Sequence, residues 1–220
     1  MSATSLMRRR SDLMTENASL RAELETARAQ VRALLCEAST DELTGLLNRR
    51  GFQRCAVEAL VAARCAGQPL ALVYADVDGL KQLNDSRGHE AGDGLIRAAA
   101  RLLQASFREG DVVARLGGDE FAVLARGFHG DGAEVRRRIE RTRRALCASG
   151  TLAGPLSISV GVVEVTADST ATLEDWLVRA DSAMYAVKRG RRALGAPRGE
   201  ALAWLAETGT PAGAWCSSVA

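Results

Sequence analysis

From Thr40 onward, stretches with helical periodicity alternate with short apolar runs bounded by glycine and proline. That alternation restricts the chain to a single α/β domain. The spacing predicts a helix over residues 49–65. After Gln68 and Pro69, the apolar run of residues 70–77 reads as a buried strand. A second helix is expected over residues 92–107. Two β-like runs, 112–116 and 121–125, flank Gly117, Gly118, Asp119 and Glu120, a hairpin signature with glycines available for φ above zero. A charged helix over residues 132–148, a strand over 156–165 and a helix from Leu173 to about Arg189 complete the pattern.

Residues 1–38 follow a different rule. They contain no Gly or Pro, and Leu6, Leu13, Leu20, Ala27 and Leu34 recur every seven residues. Taking these as d positions makes Arg10, Asn17, Leu24, Val31 and Ala38 the a positions. A buried Asn at a costs stability but favours a parallel two-stranded coil. The expectation is a dimerisation helix over residues 1–38, a catalytic domain over 39–195 and a loosely ordered tail over 196–220. Leu202, Trp204 and Leu205 are the tail's candidate docking residues.

Composition removes several function classes. A formal net charge of +2 is too small for a chain built to adhere non-specifically to nucleic acid or anionic lipid, so any anionic substrate must be held locally. No stretch approaches the roughly 18 apolar residues of a membrane span, and the start lacks the apolar core of a secretory signal. The chain therefore reads as soluble and cytoplasmic. Cys36, Cys55, Cys65, Cys147 and Cys216 are scattered, with no CxxC pair, and read as reduced thiols. Arginine fills nearly every basic position, and Lys81 and Lys188 are the two exceptions.

Asp76 and Asp78 close the apolar strand, where a carboxylate beside a loop is well placed to hold a metal through oxygen. An isolated DxD more often caps the next turn. Asp119 and Glu120 follow two glycines that leave room for a ligand to approach the backbone. Together the two elements suggest adjacent strands delivering acidic side chains to one place, where Mg²⁺ would bridge them to a nucleoside triphosphate. Lys81 lies within reach of the same phosphates, and Lys188 ends another helix near a run of arginines; a compact ammonium suits a phosphate oxygen.

Five ordered blocks then resemble GGDEF-domain diguanylate cyclases: TDELTGLLNRRGF (Thr40 to Phe52), DVDGLKQLNDSRGHEAGD (Asp76 to Asp93), RLGGDEF (Arg115 to Phe121), SISVGVV (Ser157 to Val163) and ADSAMYAVK (Ala180 to Lys188). The resemblance covers about Thr40 to Arg192. It implies a nucleotidyl-cyclase-like α/β (α+β) fold with a mixed, mainly antiparallel sheet flanked by helices. It also implies condensation of two GTP into cyclic di-GMP with release of two pyrophosphates, at the interface of a homodimer joined through the N-terminal helix.

In that family pattern Asp76, the Val77 carbonyl, Asp119 and Glu120 would hold Mg²⁺, with Mn²⁺ as a substitute. Asp119, Lys81 and Glu120 would be catalytic. Gly117 and Gly118 would line the substrate, Lys188 and Arg192 would meet phosphate, and Asn84 and Asp93 would read the guanine edge with His89 nearby. A carboxylate accepting from guanine N1 and N2 would disfavour ATP. Arg108 and Asp111 match the family's inhibitory product site.

Three departures stand out. Leu80 replaces the phenylalanine usual in the second block, and KRGRR after Val187 is one residue short before its glycine. Either Arg191 or Arg192 would then serve the phosphate; Arg192 keeps the four-residue helical spacing from Lys188. The terminal strand that normally follows is poorly marked. A silent GGDEF module that binds GTP or cyclic di-GMP as a signal is the main alternative, and the intact Asp76, Lys81, Asp119 and Glu120 argue against it.

Overall fold

The computed structural model describes residues 13–14, 16–28, 30, 38–128, 132–152, 156–166 and 169–193, with side chains as far as Gly190. It divides into two units, Met1–Ser39 and Thr40–Ala220. The first contains helix α1, residues 16–28. A Glu25–Arg28 ion pair lies along it, and Leu20 and Leu24 stand about half exposed, as does Leu13 just before it. Heptad positions Leu6, Arg10, Val31 and Leu34 lie outside the described residues, as does the tail from residue 194 on.

In the second unit, β1 (Leu70–Val77) is buried along its whole length. The reason lies in the topology: β1 is an inner strand of a sheet ordered β2-β3-β1-β4, with β2 (Val112–Gly117), β3 (Glu120–Arg126) and β4 (Ile158–Val165). Both faces of that sheet are covered. Ala71, Val73, Ala75 and Val77 belong to a core shared with α4 (His89–Ser106) and α5 (Gly132–Ala148). Leu70, Leu72 and Tyr74 pack on the opposite face with α2 (Arg49–Ala66) and α6 (Leu173–Ala193). Alternate side chains of one strand thus feed two apolar layers, so the run shows no polar alternation. All pairings among the four strands are antiparallel, and the parallel component is one isolated bridge between Leu47 and Ala114.

Local signals fix the ends of α2. The Asn48 side chain accepts from the Gly51 amide at 3.0 Å, and Gly67 closes the helix at φ 62°. The structure departs from the periodicity at one place. Helix α3 (Leu80–Arg87) has no buried residue, so it carries no apolar stripe to read. Helix α4 begins at His89, three residues before Gly92, which had marked the expected start. Gly92 lies inside the helix because a β-carbon there would collide with the Asn84 amide of α3. Among the described residues, no helix is long and apolar enough to cross a membrane.

Candidate active site

The end of β1 next to the β2–β3 hairpin gathers the acidic residues. Strand register sets Asp76 opposite Glu120 on β3 and opposite Ser159 on β4. The Val77 amide donates to the Asp119 carbonyl at 3.0 Å, tying the last residue of β1 to the hairpin loop. In extended backbone the carbonyl of a residue leaves on the same side as its amide, so the Val77 carbonyl is directed to the Asp119 side.

The loop is Gly118 and Asp119, with Gly117 at φ 151° and Gly118 at φ 50°, a backbone that favours glycine. A bulge between Arg115 and Gly117 leaves Leu116 out of register and re-aims the loop. Arg115 clamps the loop from behind. Its guanidinium donates to the Gly118 carbonyl at 2.8 and 3.1 Å and pairs with Asp41 at 3.1 Å. Burial works to raise the Asp41 pKa, but hydrogen bonds from Thr44 and Arg115 and the charge of Arg115 hold it below its ordinary value.

Lys188 reaches from α6 to Asp76, with Nζ 2.5 Å from Oδ1. The Asp76 carboxylate is buried, and its pKa is raised. Desolvation is the main cause, opposed by the Lys188 hydrogen bond and charge and reinforced by the charges of Asp119 and Asp78. One lysine thus does not neutralise the carboxylates around it. Glu120 faces Arg49 at 3.7 Å, and Arg49 also donates to the Leu116 carbonyl at 3.3 Å. Tyr74 hydrogen-bonds Glu120; burial, then the Glu120 charge and that hydrogen bond, push its hydroxyl well above the ordinary range.

Chemically this donor set suits a hard divalent cation. Among the described residues, no three of His, Cys, Asp and Glu converge on one point. The protein's share would be one or two carboxylates and a main-chain carbonyl, with water and phosphate completing the shell, as Mg²⁺ commonly takes.

Lys81, Asn84, His89 and Asp93 fall on the two helices that follow β1. Lys81 is exposed in the first turn of α3, which springs from Gly79 at φ 81°. The Asn84 amide packs against Gly92, the chain neighbour of Asp93, so these two polar side chains come from touching segments. Asn84 Oδ1 is buried and has no hydrogen-bond partner among the described residues. His89 is exposed at the first position of α4. The backbone of Arg192 is in α6, and its side chain, like that of Arg191, lies outside the described residues.

Arg108 and Asp111 do not join this group. Asp111 accepts from the Arg108 amide at 2.8 Å and the Arg126 amide at 2.9 Å, at the far end of β3 from Glu120. Seven residues of strand put the two ends about 20 Å apart.

Sequence reasoning missed Arg49, Tyr74, Arg115 and the serines of β4. Arg49 and Arg50 open α2 with no acidic residue in its first turn, against the helix dipole, which is a readable sign of another duty. Ser157 and Ser159, two residues apart in an apolar run, are another.

The family model described as diguanylate cyclase, GGDEF domain, matches residues 38–193. The diguanylate cyclase VdcA of Vibrio cholerae is 37% identical over 172 residues, 76% of this chain and 49% of that protein. The chain spans half or less of the length of such curated relatives. Among solved structures, the coiled coil and GGDEF domain of DgcB from Caulobacter crescentus, in complex with c-di-GMP, superposes with a TM-score of 0.64. It is 29% identical, with 81% of this chain and 95% of that one covered. The diguanylate cyclase SiaD from Pseudomonas aeruginosa, in complex with its activator SiaC, gives 0.62 at 32% identity, covering 85% of this chain and 76% of that one. With the match running from Ala38 to Ala193 and taking in every strand of the sheet, the chain belongs to the GGDEF family of diguanylate cyclase domains.

Proposed function

We propose that the protein is a diguanylate cyclase, joining two GTP molecules into cyclic di-GMP and releasing two pyrophosphates. The observation that carries this reading is the convergence of Asp76, Asp119 and Lys188 where β1 meets the hairpin loop. There the desolvated Asp76 carboxylate sits among like charges that one lysine does not balance.

Asp76, the Val77 carbonyl, Asp119 and Glu120 are the groups that would hold Mg²⁺, or Mn²⁺ in its place, with no more than two of the three carboxylates on the ion directly. The ion would supply charge neutralisation at the triphosphate and lower the pKa of the attacking hydroxyl. Lys81, Lys188 and Arg192 meet phosphate oxygens. The exposed Gly117 and Gly118 admit the triphosphate against the backbone. Asp93 and Asn84 read the guanine edge, with His89 alongside; the unpartnered Asn84 Oδ1 supports this, since an orphaned buried acceptor costs stability unless a donor arrives.

Each subunit positions one GTP so that its 3′ hydroxyl faces the α-phosphate of the other. Asp119 accepts the hydroxyl proton as the new P–O bond forms and the bond to pyrophosphate breaks in line. Pairing of two subunits through α1 fits its half-exposed Leu13, Leu20 and Leu24. Arg108 and Asp111, remote from this chemistry, would form an inhibitory site for the product. The supply of GTP makes the cytoplasm the working compartment.

Purified protein incubated with GTP and Mg²⁺ tests the reading, with products identified by mass. Cyclic di-GMP made by the wild type and lost in Asp119→Ala sustains it. Bound GTP without turnover would reassign the domain to a nucleotide receptor.

A further inference from the structure

One carboxylate of the DxD pair, Asp78, has entered the site so far only as a charge near Asp76. Had β1 continued, alternation would have set Asp78 on the same face as Asp76. The strand ends at Val77, and Asp78 turns to β4. Its amide donates to the Ser157 carbonyl at 3.0 Å. The Ser157 hydroxyl donates to Oδ2 at 2.8 Å and the Ser159 hydroxyl to Oδ1 at 2.9 Å. Both serines are buried, at 9% and 1% exposure, so the hydroxyls are held within the protein rather than shared with bulk water.

The consequence is a pair of adjacent anchors. Val77 is tied through its amide to Asp119 on the β3 side, while Asp78 is tied through amide and carboxylate to β4. Immediately before them stands Asp76; immediately after them the chain turns through Gly79, at φ 81°, into the helix that carries Lys81. The direction of everything the site draws from residues 76–81 is set between these anchors. Charge-assisted hydrogen bonds from two buried hydroxyls make a stiff anchor.

We propose that Asp78 is a positioning residue, which acts through Ser157 and Ser159 to aim Asp76, the Val77 carbonyl and Lys81, and is not itself a metal ligand. The proposal rests on the cyclase reading above. It explains why serines stand at two alternate positions where the apolar run starts, Ser157 just before β4 and Ser159 within it, and it separates two aspartates that look equivalent in sequence.

The test compares full-length wild type, Asp78→Asn, the double variant Ser157→Ala/Ser159→Ala, and the triple variant, measuring cyclic di-GMP formation against GTP and Mg²⁺. Asp78→Asn and the serine double variant are expected to lower kcat by about tenfold to a hundredfold, within about threefold of each other. The triple variant is expected to be no worse than either, because all three act through one contact. Melting temperatures within a few degrees of wild type separate misplacement from unfolding.

A metal ligand would behave otherwise. The serine double variant keeps the carboxylate, so wild-type turnover and Mg²⁺ requirement in it, beside a collapse in Asp78→Asn, would overturn the proposal. So would a triple variant whose loss is the product of the two. Should the double variant fail to fold, Ser159→Ala and Ser157→Ala singly are expected to fall between it and wild type, and wild-type rates in both would count against the proposal. If the wild type makes no cyclic di-GMP, the cyclase reading falls separately. Mn²⁺ binding by electron paramagnetic resonance with GTP present then decides the positioning claim by the same parity between Asp78→Asn and the serine variants.

Discussion

At the far end of the β2–β3 hairpin, the Asp111 carboxylate accepts from two main-chain amides, those of Arg108 and Arg126. At the near end, the Asp76 carboxylate is desolvated, faces the charges of Asp119 and Asp78, and has one lysine against it. Both aspartates lie against β3, one at each of its ends. Each oxygen of the first accepts one main-chain amide and so holds a turn. The second is kept in an environment that penalises its charge, which is how groups awaiting a cation or a substrate are commonly kept.

The largest effects should fall at the near end. Asp119→Ala and Asp76→Asn are each expected to lower cyclic di-GMP formation at least about a hundredfold with little change in melting temperature. Asp111→Ala should leave kcat, measured at low product, within about threefold of wild type. A stable Asp111→Ala protein without turnover would break the contrast. Lys188→Met comes next, at about tenfold to a hundredfold, because it strips Asp76 of the cation paired with it among the described residues. Steady-state kinetics at fixed Mg²⁺ checks both, and a Lys188→Met rate equal to wild type would remove Lys188 from the site.

How far could this division have been read from residues alone? The strand over residues 70–77 and the helix over 132–148 were legible to the residue, because each carries an uninterrupted apolar or periodic pattern. Helix α3 was not, since none of its residues is buried and it meets the rest of the fold through the half-buried Leu80 and the packing of Asn84 against Gly92. Asp76, Asp119 and Lys188 could be singled out by type and spacing, and the geometry does bring them together. What the chain order hides is orientation: Asp78 differs from Asp76 because β1 stops between them, and Arg49 meets Glu120 across 71 positions of sequence.

The far end offers a finer division between Arg108 and Asp111. Asp111→Ala leaves two main-chain amides without their acceptor and should cost about 1–3 kcal/mol in chemical denaturation. Arg108 contributes only its main chain to that turn, so Arg108→Ala should hold stability within about 0.5 kcal/mol. Inhibition by added cyclic di-GMP should nevertheless be lost in Arg108→Ala. Equal destabilisation by both changes, with inhibition intact, would reduce the pair to a structural turn.

The smallest effect concerns carboxylates that, like Asp111, serve the fold. Asp41 is paired with Arg115, and Glu140 with Arg143 and Arg144; in both, burial works to raise the pKa and hydrogen bonds from the partners carry it below the ordinary 3.8 and 4.5. A depressed folded-state pKa gives stability that is fully present above the ordinary value and is lost as pH falls through the lowered one. Asp41→Asn and Glu140→Gln should therefore each cost about 1 kcal/mol near neutrality, or about 2–4 °C in Tm. The gap to wild type should close as the pH is brought below about 4, where the wild-type carboxylates protonate as well. Asp76 has its pKa shifted the other way, so its charge opposes folding: Asp76→Asn should be slightly more stable than wild type near neutrality, and that gain should fade as the pH falls and the wild-type carboxyl protonates. A melting series against pH would then sort the carboxylates of the fold from the carboxylate of the site by the sign of the gap near neutrality, and an Asp76→Asn protein that is less stable than wild type there and regains parity in acid would place Asp76 with the fold.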